Sequence, residues 1–293
     1  MSLYRILRKS IATTGFYLLL IGMSNALYAQ HKIYYSGSIQ LAEGNYFFEK
    51  STWSLYATNS ITISALKFRV SVDIPMVFQS SPWVSYNNVG GIPTGGPQNS
   101  SVRGYARGGR HGNGKTKRRA ILVLSDTASY SKFGISDPSV FGEYSLVQSE
   151  SGATALNINF SVKFPFADPD KGFGTGAWDL GIGGSMVKRF GTWFISGNVM
   201  YWNLGDMDEL VLENTWYFGA SLGKEMLNGK WTIMGSVGSM SEVIEGIDPP
   251  ITVGLGINYI LSEQITLLVN AFKGFSEGAS DLSFGGGCQI RLN

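Results

Sequence analysis

The most constraining feature of this chain is the strict alternation of apolar and polar residues over successive short segments. In one segment Ile251, Val253 and Leu255 interleave with Thr252 and Gly254. A period of two describes β-strands with one apolar and one polar face. A tilted strand of about 9–11 residues crosses the hydrocarbon layer of a membrane, and only a closed barrel can do so without unpaired backbone groups. The pattern therefore predicts an all-β fold, an antiparallel transmembrane β-barrel with a polar interior.

The amino terminus has the layout of a secretory signal peptide. Arg5, Arg8 and Lys9 precede an apolar core over residues 17–21, and small residues then lead to Ala29. This core is too short for a spanning helix, although an N-terminal membrane anchor is the alternative. We therefore predict a signal peptide over residues 1–29 and a barrel over residues 30–293, located in the outer membrane of a Gram-negative cell.

Charge and cysteine content exclude several kinds of partner. Removal of residues 1–29 takes away three bases and no acids, so the formal net charge changes from +2 to −1. The basic isoelectric point therefore belongs largely to the leader, and we expect no nucleic-acid partner. Cys288 is the only cysteine, which excludes an intrachain disulfide and a cysteine-based metal site.

Turn residues divide the chain into strands joined alternately by short and long connections. Bacterial barrels place short turns in the periplasm and long loops outside. Three strands, a long Gly-rich basic loop over residues 79–138 and nine later strands give about twelve, with the apolar stretch 120–124 assigned to that loop. The first three predicted strands are 32–41, 45–58 and 61–78; the short turns lie near 150–152, 189–191, 228–230 and 262–264; the long connections are 167–176, 205–214, 244–250 and 274–280.

Tryptophans occupy the ends of the predicted strands. Trp193 and Trp231 follow short turns, whereas Trp178 and Trp216 follow long connections, and all four lie on apolar faces. Aromatic girdles at the two membrane boundaries require this arrangement. A soluble β-sandwich would explain the alternation but not the placement of the tryptophans.

The long basic loop contains two further patterns. Residues 109–116 match the phosphate-binding pattern G-x-x-x-x-G-K-T, but no apolar strand precedes them and only four residues separate them from the apolar run at Ile121, so no nucleotide partner is expected. Seven Arg and Lys residues lie between Arg103 and Arg119, whereas the other external loops are acidic. The loop either contacts the phosphates of outer-membrane lipids and lipopolysaccharide, or folds onto the acidic rim and restricts a passage.

The histidine positions argue against an enzyme. A hydrolase on a barrel needs a histidine base near its nucleophile. The two histidines are His31, near the predicted mature terminus, and His111, in the basic loop. We therefore expect no catalytic residue, no metal site and no cofactor, although acidic loop residues could bind calcium or magnesium weakly.

The inward face of the predicted strands provides the candidate site. Bulky groups alternate there with small polar ones, an arrangement that suits apolar or aromatic solutes, since aromatic groups desolvate a solute and charges orient it. The alternative is that the bulky groups merely fill a narrow lumen. The candidate lumen-lining residues are Lys67, Arg69, Asp73, Lys163, Phe194, Asn198, Trp202 and Tyr217.

Several short motifs resemble those of a known family. They are GISDP at 134–138, VKFP at 162–165, GTGAWDLGIG at 174–183, SDLSFGGG at 280–287, and Arg291-Leu292. From Phe133 onward the chain resembles the outer-membrane transporter family of the MetA pathway of phenol degradation. The resemblance implies a barrel that passes small hydrophobic or aromatic compounds by passive diffusion. A structural or adhesion barrel is the alternative, and an enzyme acting on lipids is disfavoured by the histidine positions.

Overall fold

The computed structural model describes residues 31–45, 51–80, 132–149, 152–169, 172–205 and 212–293. The predicted signal peptide and most of the basic loop, including the phosphate-binding pattern and residues 120–130, lie outside these ranges. Within them, no helix is both long enough and apolar enough to span a membrane. The strands are β1 (Lys32–Gly44), β2 (Thr52–Ser64), β3 (Phe68–Gln79), β4 (Lys132–Ile135), β5 (Ser139–Gln148), β6 (Thr154–Lys163), β7 (Asp179–Phe190), β8 (Trp193–Asn203), β9 (Thr215–Met226), β10 (Trp231–Met240), β11 (Ile251–Ile260), β12 (Ile265–Gly274) and β13 (Leu282–Arg291).

Twelve of these strands form a closed antiparallel barrel. Each pairs with its neighbours in the order β1, β2, β3, then β5 through β13, and the ring closes where β1 pairs with β13. A closed ring leaves no strand edge unpaired, as a hydrocarbon environment requires. The predicted all-β barrel of about twelve strands is confirmed.

The remaining strand, β4, continues the line of β5 along β3. It pairs with residues 76–79 of β3, whereas β5 pairs with residues 68–73. Between them residues 136–138 lie opposite Ile74 and Pro75, so three residues face two, as in a bulge. The Ser136 backbone N–H donates to the Pro75 carbonyl at 2.8 Å and keeps the interrupted strand in place. The predicted 79–138 connection therefore contains a short strand at its C-terminal end.

Several of the predicted bounds of the first three strands are wrong. β2 begins at residue 52 rather than 45, and β3 at 68 rather than 61, seven residues later in each case. β2 also ends at residue 64 rather than 58, and β3 begins late, because the two strands are joined by a tight turn over residues 65–67, in which the Ala65 backbone N–H donates to the Phe68 carbonyl at 2.7 Å. The later short turns lie where they were expected. Gly191, between β7 and β8, adopts a φ of 62°, which favours glycine.

Cross-strand register gives the barrel an apolar outer face and a more polar inner face. In β6 the apolar Leu156 and Ile158 are exposed, whereas Asn157 and Asn159 between them are buried. This is the arrangement expected of a barrel whose outside contacts lipid. The tryptophans agree with it, since Trp178, Trp193 and Trp216 are 43%, 45% and 47% exposed near strand ends of the outer face.

The connections also distinguish the two ends of the barrel. Residues 45–51, 164–178, 204–214, 241–250 and 275–281 join strands at one end, together with the connection from β3 to β4. Residues 65–67, 149–153, 191–192, 227–230 and 261–264 join strands at the other end. We call these the long-loop end and the short-turn end; in bacterial barrels they face outward and toward the periplasm, respectively.

Candidate functional site: the barrel interior

Alternate residues of the twelve barrel strands form the inner face, and their character differs around the ring. Small polar side chains dominate β1–β3 and β5–β7, whereas bulky apolar side chains occur on β8–β12. The inward polar residues include Ser36, Ser38, Gln40, Ser60, Ser71, Asp73, Asn157, Asn159, Ser161 and Ser185. The inward bulky residues on the other side are Phe194, Met200, Trp202, Tyr217, Met234, Met240, Leu268 and Phe272.

Seven of the eight candidate lumen-lining residues occupy inward strand positions. Lys67 is the exception, because it lies in the turn before β3 and is exposed. The others differ in accessibility. Lys163 and Trp202 are buried at 6% and 4% exposure. Asp73, Phe194, Asn198 and Tyr217 are half-buried, and Arg69 is exposed.

Lys163 belongs to a buried ionic cluster near the long-loop end. Its Nζ lies 2.7 Å from Asp179 Oδ2 and 3.6 Å from Asp137 Oδ2, and it donates to Thr175 Oγ1 at 2.7 Å. A buried ammonium group is tolerated only when several partners replace its water. Burial raises the pKa of Asp137, which lies outside the strands, and the Lys163 ammonium opposes this rise. Asp179 is the closer of the two carboxylate partners.

The same cluster holds the connection between β6 and β7 in place over the interior. We call this connection the mouth segment, residues 164–169 and 172–178. The Asp137 carboxylate accepts hydrogen bonds from the backbone N–H groups of Ala167 at 2.9 Å and Thr175 at 3.3 Å. Asp179 Oδ1 accepts from the Gly205 backbone N–H at 2.9 Å and so reaches the next long connection. The charges of the cluster are therefore used to hold loops.

A phenylalanine of the mouth segment enters the barrel beside this cluster. Phe173 is 5% exposed and packs in one buried group with Tyr56, Val77 and Ala167. Its carbonyl accepts a hydrogen bond from Ser136 Oγ at 2.7 Å, and the preceding Gly172 carbonyl accepts one from Gln79 Nε2 at 2.7 Å. The mouth segment thus covers the β2–β3 side of the interior.

Three of the family-like motifs meet in this cluster, which the sequence analysis did not anticipate. GISDP contributes Asp137, VKFP contributes Lys163, and GTGAWD contributes Thr175 and Asp179. Lys163 alone was proposed as a site residue. The available signal was the presence of one charged residue in each of three separated motifs, two acidic and one basic.

A second buried group covers the opposite side of the long-loop end. It consists of Met200, Trp202, Leu204, Leu212, Met240, Val243 and Ile244, with Tyr217 and Ile247 packed against it. Two connections meet there, since the Glu213 backbone N–H donates to the Val243 carbonyl at 2.8 Å. Burial of this many apolar side chains stabilises the inward fold of these connections.

Farther from the long loops, polar side chains of the inner face are linked across neighbouring strands. Asn157 accepts a hydrogen bond from Ser145 Oγ at 2.9 Å and donates one to Ser185 Oγ at 3.3 Å, which links β5, β6 and β7. At the short-turn end the Arg189 guanidinium pairs with Glu225 and lies 5.4 Å from the centre of the Phe194 ring. Among the described residues, no group of three or more His, Cys, Asp or Glu side chains is placed to bind a metal ion.

Similar proteins agree with this architecture. A family described as "Putative MetA-pathway of phenol degradation" matches residues 36–292. No curated protein matches the sequence. The COG4313 outer membrane channel from Pseudomonas putida F1 has a similar structure, with a TM-score of 0.60, 8% identity and coverage of 89% of this chain and 95% of that chain. The NanC porin gives a TM-score of 0.50 at 9% identity, with coverage of 89% and 100%. At such identities the likeness establishes the fold, which is that of outer-membrane barrels.

Proposed function

The chain belongs to the family described as the putative MetA-pathway of phenol degradation, and on that premise we propose that it is an outer-membrane channel for passive diffusion of small hydrophobic or aromatic compounds. One observation supports this function above the others. Four inward apolar side chains, Phe194, Met234, Leu268 and Phe272, are half-buried rather than packed away. We call these four residues the apolar lane. A general porin would instead surround its solute with charge.

The two sides of the interior would act on a solute in different ways. The apolar lane removes part of the solute's apolar surface from water, which is favourable by roughly 25 cal/mol per Å². The polar side, with the accessible hydroxyls of Ser38, Ser60 and Ser71, offers hydrogen bonds to a hydroxyl or carboxyl group on the solute. Conduction requires contacts strong enough to admit the solute and weak enough to release it. A lumen with an apolar lane on one side and polar residues on the other meets both needs.

The candidate residues take different roles in this proposal. Phe194, Asn198 and Tyr217 are accessible enough to contact a solute, and Arg69 and Asp73 would orient charged or polar groups. Lys163 and Trp202 act at the long-loop end, where they hold and cover the mouth. Lys67 lies in a turn and would act, at most, at the rim. Outer-membrane lipids and lipopolysaccharide are the proposed surroundings, and no catalytic, nucleotide-binding or nucleic-acid-binding role is proposed.

Uptake into liposomes tests the function directly. The purified protein in liposomes should admit labelled aromatic compounds faster than sugars of similar size, because the lane binds apolar surface. Protein-free liposomes correct for diffusion through the lipid. Equal uptake of both solute classes would contradict the proposal. A closed lumen together with loop-dependent binding of a partner would favour the structural or adhesion barrel instead.

A further inference from the structure

Two rings of the apolar lane lie directly over glycines of neighbouring strands. Phe194 on β8 is the cross-strand partner of Gly223 on β9, and Phe272 on β12 is the partner of Gly254 on β11. A Cβ added at either glycine would overlap the partner's ring. An inward Cβ points from the wall into the lumen. Each ring therefore occupies the space that a side chain of its partner would fill, and lies along the wall instead of across the passage.

The glycines are needed for space and not for backbone conformation. Neither Gly223 nor Gly254 has a positive φ. Both are buried although they line the interior, which is what a ring lying on them would produce. The phenyl rings themselves remain half-buried. One face of each ring is thus covered by the wall, and the other is available to a molecule in the lumen.

The two rings also mark the ends of the apolar lane. Phe272 is the third residue from the end of β12 and lies toward the long-loop end. Phe194 is the second residue of β8 and lies toward the short-turn end. Beside Phe194, the pair formed by Arg189 and Glu225 supplies both hydrogen-bond donors and an acceptor. A solute passing between the ends would meet a phenyl face near each one.

We propose that Phe194 on Gly223 and Phe272 on Gly254 determine the channel's specificity, each presenting a flat phenyl face on which aromatic solutes stack. This rests on the proposed channel function and adds to it a preference for aromatic over saturated rings. Aromatic pairs gain attraction beyond the burial of apolar area, because the ring quadrupoles favour offset or edge-to-face contact. Because the glycines leave room for the rings against the wall, the stacking surface that the rings present does not narrow the passage.

Two kinds of substitution in each Phe–Gly pair should have opposite effects on the width of the lumen. Gly223→Ala and Gly254→Ala displace the rings toward the lumen and should lower small-ion conductance. Phe194→Ala and Phe272→Ala remove the rings and should raise it. The ratio of benzyl alcohol to cyclohexylmethanol uptake by liposomes should fall roughly two- to tenfold in the Phe→Ala variants, the range that aromatic pairing corresponds to.

The outer face provides a matched control. Gly142 on β5 lies under the Phe160 ring in the same way, but register places this pair on the lipid side. Gly142→Ala should disturb packing and leave conductance and the uptake ratio unchanged. Gly235→Ala is a milder control, since a Cβ there would meet only Leu255, at 4.0 Å. Where an alanine variant does not fold, Phe194→Leu or Phe272→Leu keeps most of the volume and removes only the aromatic face.

The outcomes separate this proposal from the one it rests on. A reduced uptake ratio in the Phe→Ala or Phe→Leu variants, together with lowered conductance in the inward Gly→Ala variants, supports it. If the wild-type protein prefers benzyl alcohol and the Phe variants keep the same uptake ratio, the proposed role of the two rings in specificity is overturned, but the channel function is not. Absence of uptake of either alcohol by the wild-type protein overturns both.

Discussion

Two ion pairs inside this barrel have similar chemistry and opposite surroundings. Lys163 and Asp179, near the long-loop end, have side-chain exposures of 7% and 4%. Arg189 and Glu225, near the short-turn end, have 45% and 31%. Strand alternation places all four side chains on the inner face. What differs is the connection above them, because a long connection folds over the first pair and a two-residue turn leaves the second in water.

The comparison has an energetic consequence. An exposed pair gains little, since water and salt screen it and two long side chains must be held in place. A buried pair gains little over an apolar replacement, but loss of one partner is strongly destabilising because a charge remains buried without a counterion. The two ends of the interior should therefore respond very differently to the removal of one cation.

The largest effect is expected from Lys163→Met. It leaves Asp137 and Asp179 buried with no cation between them, so the mouth segment should be destabilised by about 3–5 kcal/mol. Hydrogen exchange of the Ala167 and Thr175 backbone amides, which donate to Asp137, measures the opening of this segment. Lys188→Met, at an exposed position of the outer face, is the matched control. Unchanged exchange in Lys163→Met would contradict a holding role for the cluster.

An intermediate effect is expected from Ser136→Ala. Ser136 is 1% exposed and its hydroxyl donates to the Phe173 carbonyl, so removal of the hydroxyl leaves a buried acceptor without its donor, at a cost of about 1–3 kcal/mol. The loss should appear as faster proteolysis of the mouth segment and a lower urea midpoint. Ser38→Ala, at an exposed inner-face position of β1, should leave both measurements unchanged. Equal behaviour of the two variants would show that this hydrogen bond does not hold Phe173.

The smallest effect is expected from Arg189→Met. Its pair with Glu225 is half-exposed, so the loss should be about 0.2–1 kcal/mol. The loss should shrink further at high salt, where exposed charges are screened. Urea unfolding at low and high salt, in a double-mutant cycle with Glu225→Gln, isolates the pair from other changes. A large coupling energy between Arg189 and Glu225 that does not change with salt would contradict the expected difference between this exposed pair and the buried pair at the long-loop end.

Much of the architecture could be predicted because it follows from short-range patterns. Alternation identified the two faces of strands such as β11, and turn residues marked the short connections that follow the basic loop. The turn between β2 and β3 was missed, although apolar residues change there from odd positions, Ile61 and Ile63, to even ones, Leu66 and Phe68. A continuous strand cannot change parity without moving its apolar set to the other face. That change was the available signal.

Accessibility inside the barrel could not be predicted in the same way. Phe194 and Trp202 lie on one strand with one parity, yet the first is half-buried and the second is 4% exposed. The difference comes from residues of two connections, Leu204 and Leu212 in one and Val243 and Ile244 in the other, which pack with Trp202 at the long-loop end. Asp137 was missed because its partners lie 26 to 38 residues later in the chain. The signal peptide and the function of the basic loop stay predictions.

The pairing of β1 with β13 also bears on the order in which the molecule assembles. Gln40 and Ser283, which share a hydrogen bond of 3.2 Å across this seam, are 243 residues apart in sequence. Contacts between such distant segments form late, because the entropy of bringing them together must be overcome first. Until then the edge of β1 has no partner and can pair with a foreign strand. The rate at which β1 pairs with β13 therefore determines how long the incomplete sheet is exposed to aggregation.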